Sequence, residues 1–158
     1  MGMPRTHTDF GPQNVANVLD GMHATLRLPH EWSRRAGSHT SEGMPCDPCS
    51  PAARSWCLSG ALDRMLGQIV DPVLRARLAE DTEILLLDTA RRIFGTPCLE
   101  SLQQLNDSRS TSHTDVLDVI AEARATLPAY RARPSQIEYF TPRAVIDYAA
   151  ALSRSVNA

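Results

Sequence analysis

Ser50-Pro51-Ala52-Ala53-Arg54-Ser55-Trp56-Cys57-Leu58-Ser59-Gly60-Ala61-Leu62-Asp63-Arg64-Met65-Leu66 is the stretch whose reading decides the fold. Ser50 is suited to accept the free amide hydrogens of a new helix, and Pro51 suits the first helical position, where its missing N–H has no partner to lose. Counting by three and four from that start puts Ala53, Cys57, Gly60 and Ala61 on one narrow side and Leu58, Leu62, Met65 and Ile69 beside them. So broad an apolar arc predicts a central helix, and Gly60 with Ala61 lets a neighbouring backbone come close. Cys57 falls on that close-packed line.

Working outward, Val15, Val18, Leu19, Met22 and Leu26 recur at helical spacing and predict a first amphipathic helix that ends before Pro29. His30 to Ser50 is irregular, with Trp32 as the anchor at its start. Asp71-Pro72 repeats the start signal. A bend near Asp81 is expected to separate that helix from one through Ile84, Leu87, Ala90 and Phe94, which stops at Gly95. Thr96-Pro97 opens a short helix carrying Leu99, Leu102 and Leu105. Ser112 caps another, with His113 in its first turn and Asp115 at its third position, and Pro128 ends it. A short extended segment is expected near residues 136–140, and Thr141-Pro142 starts a terminal helix. The fold class is therefore mainly α: a compact single-domain bundle of about six or seven helices over residues 12–155, behind a flexible lead-in at residues 1–11.

With 158 residues and 42% hydrophobic content, the chain can fill one ordinary core. A formal net charge of -2 argues against a broad nucleic-acid surface or an anionic-membrane surface. All sixteen basic residues are arginine, which removes Schiff-base and phosphate-loop lysine chemistry. No apolar run approaches a membrane span, and the first ten residues lack the apolar core of a secretory signal, so a cytoplasmic protein is expected. No resident cofactor is indicated.

Two kinds of site can be built from these residue types. Cys57 as nucleophile, His113 as base and Asp115 as the carboxylate that orients the imidazole would make a thiol-dependent hydrolase or transferase. Cys46-Asp47-Pro48-Cys49 has the spacing of a metal or redox pair, and a zinc site would need Cys57 and a histidine such as His39 or His113 to converge on it. Against both stands the plainer reading of Cys57 as a small packed residue and of His113 as a first-turn capping or packing group.

Trp56-Cys57-Leu58-Ser59-Gly60-Ala61-Leu62, followed by Leu105-Asn106-Asp107 and Thr111-Ser112-His113-Thr114-Asp115-Val116-Leu117, resembles the bacterial domain-of-unknown-function family numbered 6197. The resemblance covers about residues 14 to 126 and includes Trp32 after the first helix. The family's usual Gly-Trp ending is absent there, and Cys46 and Cys49 are not part of its pattern. It implies a compact helical fold without an established activity. The leading expectation is a non-catalytic accessory or protein-interaction protein, with a protein partner or self-association, that stabilises an enzyme of bacterial specialised metabolism. The alternatives are the Cys57/His113 enzyme and a small structural zinc protein.

Overall fold

A computed structural model of the chain describes residues 14–35 and 37–131, with side chains as far as residue 127. Chain contacts divide into two units between Leu127 and Pro128, and the architecture below is that of the first. In order it comprises α1 (Val15–Thr25), a single 3-10 turn (Pro29–Glu31), β1 (Ser38–His39), β2 (Ser55–Trp56), α2 (Leu58–Leu66), α3 (Pro72–Phe94), α4 (Leu102–Asp107) and α5 (His113–Arg131). The mainly α class holds, but the described residues contain five α-helices, which corrects the expected six or seven. One reduction has a clear cause. Leu78, Thr82, Leu85, Leu86 and Thr89 form one unbroken buried face, so the expected bend at Asp81 does not occur and two anticipated helices are one. The extended segment near 136–140, the terminal helix after Thr141 and the lead-in at 1–11 lie outside the described residues.

The decisive stretch also divides differently. Ser50 and Pro51 belong to a turn, closed by Ala53 N–H donating to the Ser50 carbonyl at 3.1 Å and by Ala52 N–H donating to Ser50 Oγ at 3.2 Å. Residues 54–57 run extended because a neighbouring strand takes their backbone groups. β1 and β2 pair antiparallel with Ser38 opposite Trp56 and His39 opposite Ser55. Arg54 N–H donates to the His39 carbonyl at 2.8 Å and Cys57 N–H to the Gly37 carbonyl at 3.1 Å. Local capping chemistry could not anticipate a partner strand some seventeen residues away. Only after Cys57 does the chain turn helical, with Cys57 itself as the N-cap of α2.

Other helix ends follow the expected chemistry. Asp71 accepts from Val73 and Leu74 at the start of α3, and Gly95 ends it in the left-handed conformation that suits glycine. The short helix begins later than Thr96-Pro97, at Leu102, because Ser101 accepts from Gln104 N–H at 3.1 Å. Ser112 and Asp115 form a reciprocal cap: Asp115 N–H donates to Ser112 Oγ at 3.2 Å and Ser112 N–H to Asp115 Oδ2 at 2.7 Å. α5 continues through Pro128 to Arg131 instead of stopping there.

α1 packs on α2 and α3, and α2 on α4. Val18, Leu19, Met22, Leu58, Ala61, Leu86, Val116, Val119 and Ile120 make the innermost layer, none more than 1% exposed. A Cβ on Gly21 would lie 2.1 Å from Met65 Sδ, so the Met65 side chain of α2 occupies the space this glycine leaves on α1. Surface pairs Arg124–Asp20 (3.0 Å) and Arg92–Glu122 (2.9 Å) tie α5 to α1 and α3. Both are half-exposed and add little stability.

Thr82 is fully buried on α3 and its Oγ1 has no hydrogen-bond partner among the described residues. A buried hydroxyl left unmatched costs about 1–3 kcal/mol, so the nearly isosteric Thr82→Val should stabilise the fold by about 1 kcal/mol. Denaturant unfolding should show the midpoint moving up with an unchanged slope.

Candidate functional site

Asn106, wholly buried near the end of α4, is the centre of the polar interior. Its Oδ1 accepts from the Trp32 indole N–H at 2.8 Å and from Leu58 N–H, the first amide of α2, at 3.0 Å. Its Nδ2 donates to the Ser33 carbonyl and to Asp107 Oδ1, both at 3.1 Å. A carboxamide has two donor hydrogens and two acceptor lone pairs. All four are used. One side chain thereby joins the segment after the 3-10 turn to α2 and α4.

Asp107 extends the network. Its Oδ1 also accepts from Arg35 N–H at 2.7 Å, and its Oδ2 accepts from Gln103 Nε2, which in turn reaches the Arg35 carbonyl at 3.3 Å. Burial pushes the Asp107 pKa up, but the hydrogen bonds from Arg35, Asn106 and Gln103 and the Arg35 charge outweigh it, so the net shift is downward. Hydrogen bonds from Ser112 lower Asp115 as well. A carboxyl whose folded pKa is depressed adds stability above its unfolded pKa and loses it as pH falls through the folded value. Unfolding midpoints should therefore drop on acidification below about pH 4, and the drop should be shallower in Asp107→Asn, read from melts between neutral pH and acid.

Arg34 braces the same segment from outside. Its guanidinium lies 5.0 Å from the Trp32 ring centroid and donates to the Ser108 carbonyl at 2.8 Å and to the Thr111 carbonyl. His113 packs near the same indole: its ring centroid is 6.1 Å from that of Trp32, and its Nε2 is 2.6 Å from the Leu26 carbonyl. That bond fixes the proton on Nε2 when the imidazole is neutral.

Cys57 is completely buried. Its Sγ accepts from Gly60 N–H at 3.3 Å and lies 3.2 Å from Ser59 Oγ and 3.9 Å from Gln103 Oε1. At the N-cap the sulfur takes up the Gly60 amide at the open start of α2. Burial withholds solvent and substrate from it. The sulfur and the imidazole make their hydrogen bonds to different groups, Cys57 to Gly60, Ser59 and Gln103, and His113 to the Leu26 carbonyl. Asp115 gives its carboxylate to the Ser112 cap. What links Cys57 and His113 is the Asn106 hub, through Leu58 on one side and Trp32 on the other.

Cys46 Sγ lies 3.5 Å from Ser38 Oγ, whereas Cys49 Sγ donates to the Asp63 carbonyl at 3.6 Å. Among the described residues, no group of three His, Cys, Asp or Glu side chains converges as a metal ion would require. Cys49, Ser50, Pro51, Arg64, Gly67 and Gln68 line an open depression of about 320 Å³ that includes no residue of the Asn106 hub. Arg64 there stacks over the Trp56 ring at 4.4 Å. Partial desolvation, then the Asp47 and Glu83 charges, raise the pKa of nearby Asp63.

Thiol reactivity should follow this burial. Cys49 and Cys98 are exposed, Cys46 is half-buried and Cys57 is sealed. In a time course with an aromatic disulfide reagent, Cys49 and Cys98 should react first, Cys46 more slowly, and Cys57 only at the rate of global unfolding.

Sequence reasoning singled out Cys57, His113 and Asp115 but not the carboxamide at the centre of the polar interior. The Asn106-Asp107 pair was visible in the family pattern. Its role was not, because nothing local says which donors an asparagine will meet. Gln103 and Arg34 left no signal beyond their polarity.

The residues that carry the family pattern, Cys57, Gly60, Asn106, Asp107 and His113, together with Trp32, thus lie in or against one internal network. No helix among the described residues is long and apolar enough to cross a membrane. Neither the comparison with curated proteins nor that with solved structures gave a match. The family model described as Family of unknown function (DUF6197) matches residues 11–126, most of the chain, and the chain belongs to that family.

Proposed function

We propose that this protein is a non-catalytic accessory or interaction protein, which binds and stabilises an enzyme of bacterial specialised metabolism. The observation that carries the reading is the commitment of the polar motif residues to internal bonds. Asn106 is saturated, Asp107 and Asp115 hold backbone amides, His113 binds a main-chain carbonyl, and Cys57 caps a helix without contacting solvent. A network of this kind rigidifies a scaffold and leaves the outer surface for recognition.

Purification of the tagged chain from its native host, at native expression, tests the reading. A stoichiometric enzyme partner whose thermal midpoint falls when the chain is deleted is expected. A chain that remains alone, with no enzyme losing stability on its deletion, would remove the proposal's support.

One feature favours the thiol-enzyme alternative, the N-cap placement of Cys57. Cys57→Ser keeps an oxygen to cap α2 but removes the nucleophile. If that variant, folded and as stable as the parent, abolished a turnover detected in a screen of activated acyl substrates, the catalytic alternative would displace the accessory reading.

A further inference from the structure

The first three turns of α3 present a surface stripe that the bundle does not cover. Val73, Arg77, Glu80 and Ile84 follow one another at intervals of four, three and four residues, so they lie nearly in line along one face, spanning about 16 Å. Val73 is 76% exposed and Ile84 42%, and Val70, just before the helix, is 91% exposed. Arg77 and Glu80 are also exposed. Neither side chain makes a hydrogen bond or ion pair with another described residue, and although three residues apart on one helix they are not paired with each other.

The order of this stripe, apolar, cation, anion, apolar, is self-complementary: reversed, it offers the opposite charge at each charged position. A second α3 laid antiparallel across it about a two-fold axis midway between Arg77 and Glu80 meets it in complementary register. Val73 then faces Ile84 of the second copy, Arg77 faces its Glu80, and both contacts recur by symmetry. This is what an isologous interface requires of a single surface. We infer that the stripe is a self-association face through which two copies of this chain pair by antiparallel α3 helices. Asp81, half-buried beside the stripe, falls near Arg77 of the opposite copy in the same register and adds to its acidic surroundings. Glu83 at the outer edge adds like charge, and with few apolar side chains per copy the contact is smaller than a standard stable interface. The dimer is therefore of the weak, concentration-dependent kind. The inference deepens the interaction reading by naming a partner surface, but an enzyme partner could bind elsewhere, so either can fail alone.

Sedimentation equilibrium of the full chain, at concentrations up to about 1 mM, tests it with charge variants. Parent protein should show a monomer–dimer equilibrium. Arg77→Glu and Glu80→Arg should each be monomeric under the same conditions, and the double swap R77E/E80R should dimerise again. Mixing the two single variants should form a heterodimer, because the reversed charges of one copy then match those of the other. These surface substitutions leave the core untouched, and circular dichroism melts would check that each variant folds. A parent protein that is monomeric throughout, or dimerisation that survives either single charge reversal, would overturn the inference without bearing on capture of an enzyme from the host.

Discussion

Asn106→Ala should lower the thermal midpoint by roughly 10 °C, the largest effect expected from any single side chain outside the apolar core, on a scale of about 2–4 °C per kcal/mol for a chain of this size. The substitution removes few atoms. Its cost comes from what it strands: the Trp32 indole N–H, the Leu58 amide that opens α2, and one acceptor position on the Ser33 carbonyl. Leu58 is completely buried and Trp32 half-buried, so water cannot freely replace the lost partner. Each orphaned group costs about 1–3 kcal/mol, and two or three of them together with a small cavity bring the total to about 3–4 kcal/mol. Asn106→Asp separates packing from hydrogen bonding. The carboxylate has the same shape and still accepts from Trp32 and Leu58, but it loses the donation to Ser33 and places a charge beside Asp107. It should be destabilised at neutral pH and recover partly as acid protonates it, read by melts across the two conditions. An Asn106→Ala variant as stable as the parent would show that the hub is incidental.

Gly60→Ala reverses the ordinary expectation for a helix. Alanine in place of glycine inside a helix should stabilise by about 1 kcal/mol through propensity alone. Here a Cβ would sit 1.7 Å from the Gly37 carbonyl oxygen and 2.6 Å from its carbonyl carbon, distances at which atoms cannot coexist. The obstacle is backbone and cannot rotate away as a side chain can. Relief requires the Gly37 segment to move off α2, which breaks the bond from Cys57 N–H to that same carbonyl and loosens the β1–β2 pairing next to it. Overpacking costs typically 1–3 kcal/mol and the lost hydrogen bond adds about 1 more, so after the propensity gain the net effect is a destabilisation of about 1–3 kcal/mol. Gly21→Ala is the control. The obstacle there is the flexible Met65 thioether, which can swing aside, and the loss should be smaller. Equilibrium denaturation of both variants gives the comparison, and an equal or reversed ranking would contradict the close approach at Gly60.

Much of the helical scaffold was legible in the residues because its cues are local. The apolar spacing of Val15 through Leu26 is α1, Asp71 with Pro72 starts α3, Gly95 ends it, and Ser112 with Asp115 caps α5. The same local cues misled at Ser50-Pro51 and at Thr96-Pro97, where the proline sits in a turn. A cap and a proline permit a helix, but whether one forms depends on what else claims the backbone. At residues 54–57 the claimant was the distant segment Gly37–His39. The candidate site was legible as a set of residue types and not as an arrangement. Cys57 was expected two turns inside its helix and stands at the helix start, where its sulfur caps α2.

Pattern and composition alone determined a mainly helical chain, a buried Cys57 on a close-packed line beside Gly60, and a histidine in the first turn of a capped helix. The tertiary structure decided that Gly60 meets the Gly37 carbonyl, that Asn106 draws Trp32, Ser33 and Leu58 together, and that Asp115 serves a cap and not the imidazole. The physical reason is range. Helix propensity and capping act within one or two turns, while a buried polar group is satisfied by whichever donors the packed chain brings to it, and here those lie 48 to 74 residues away.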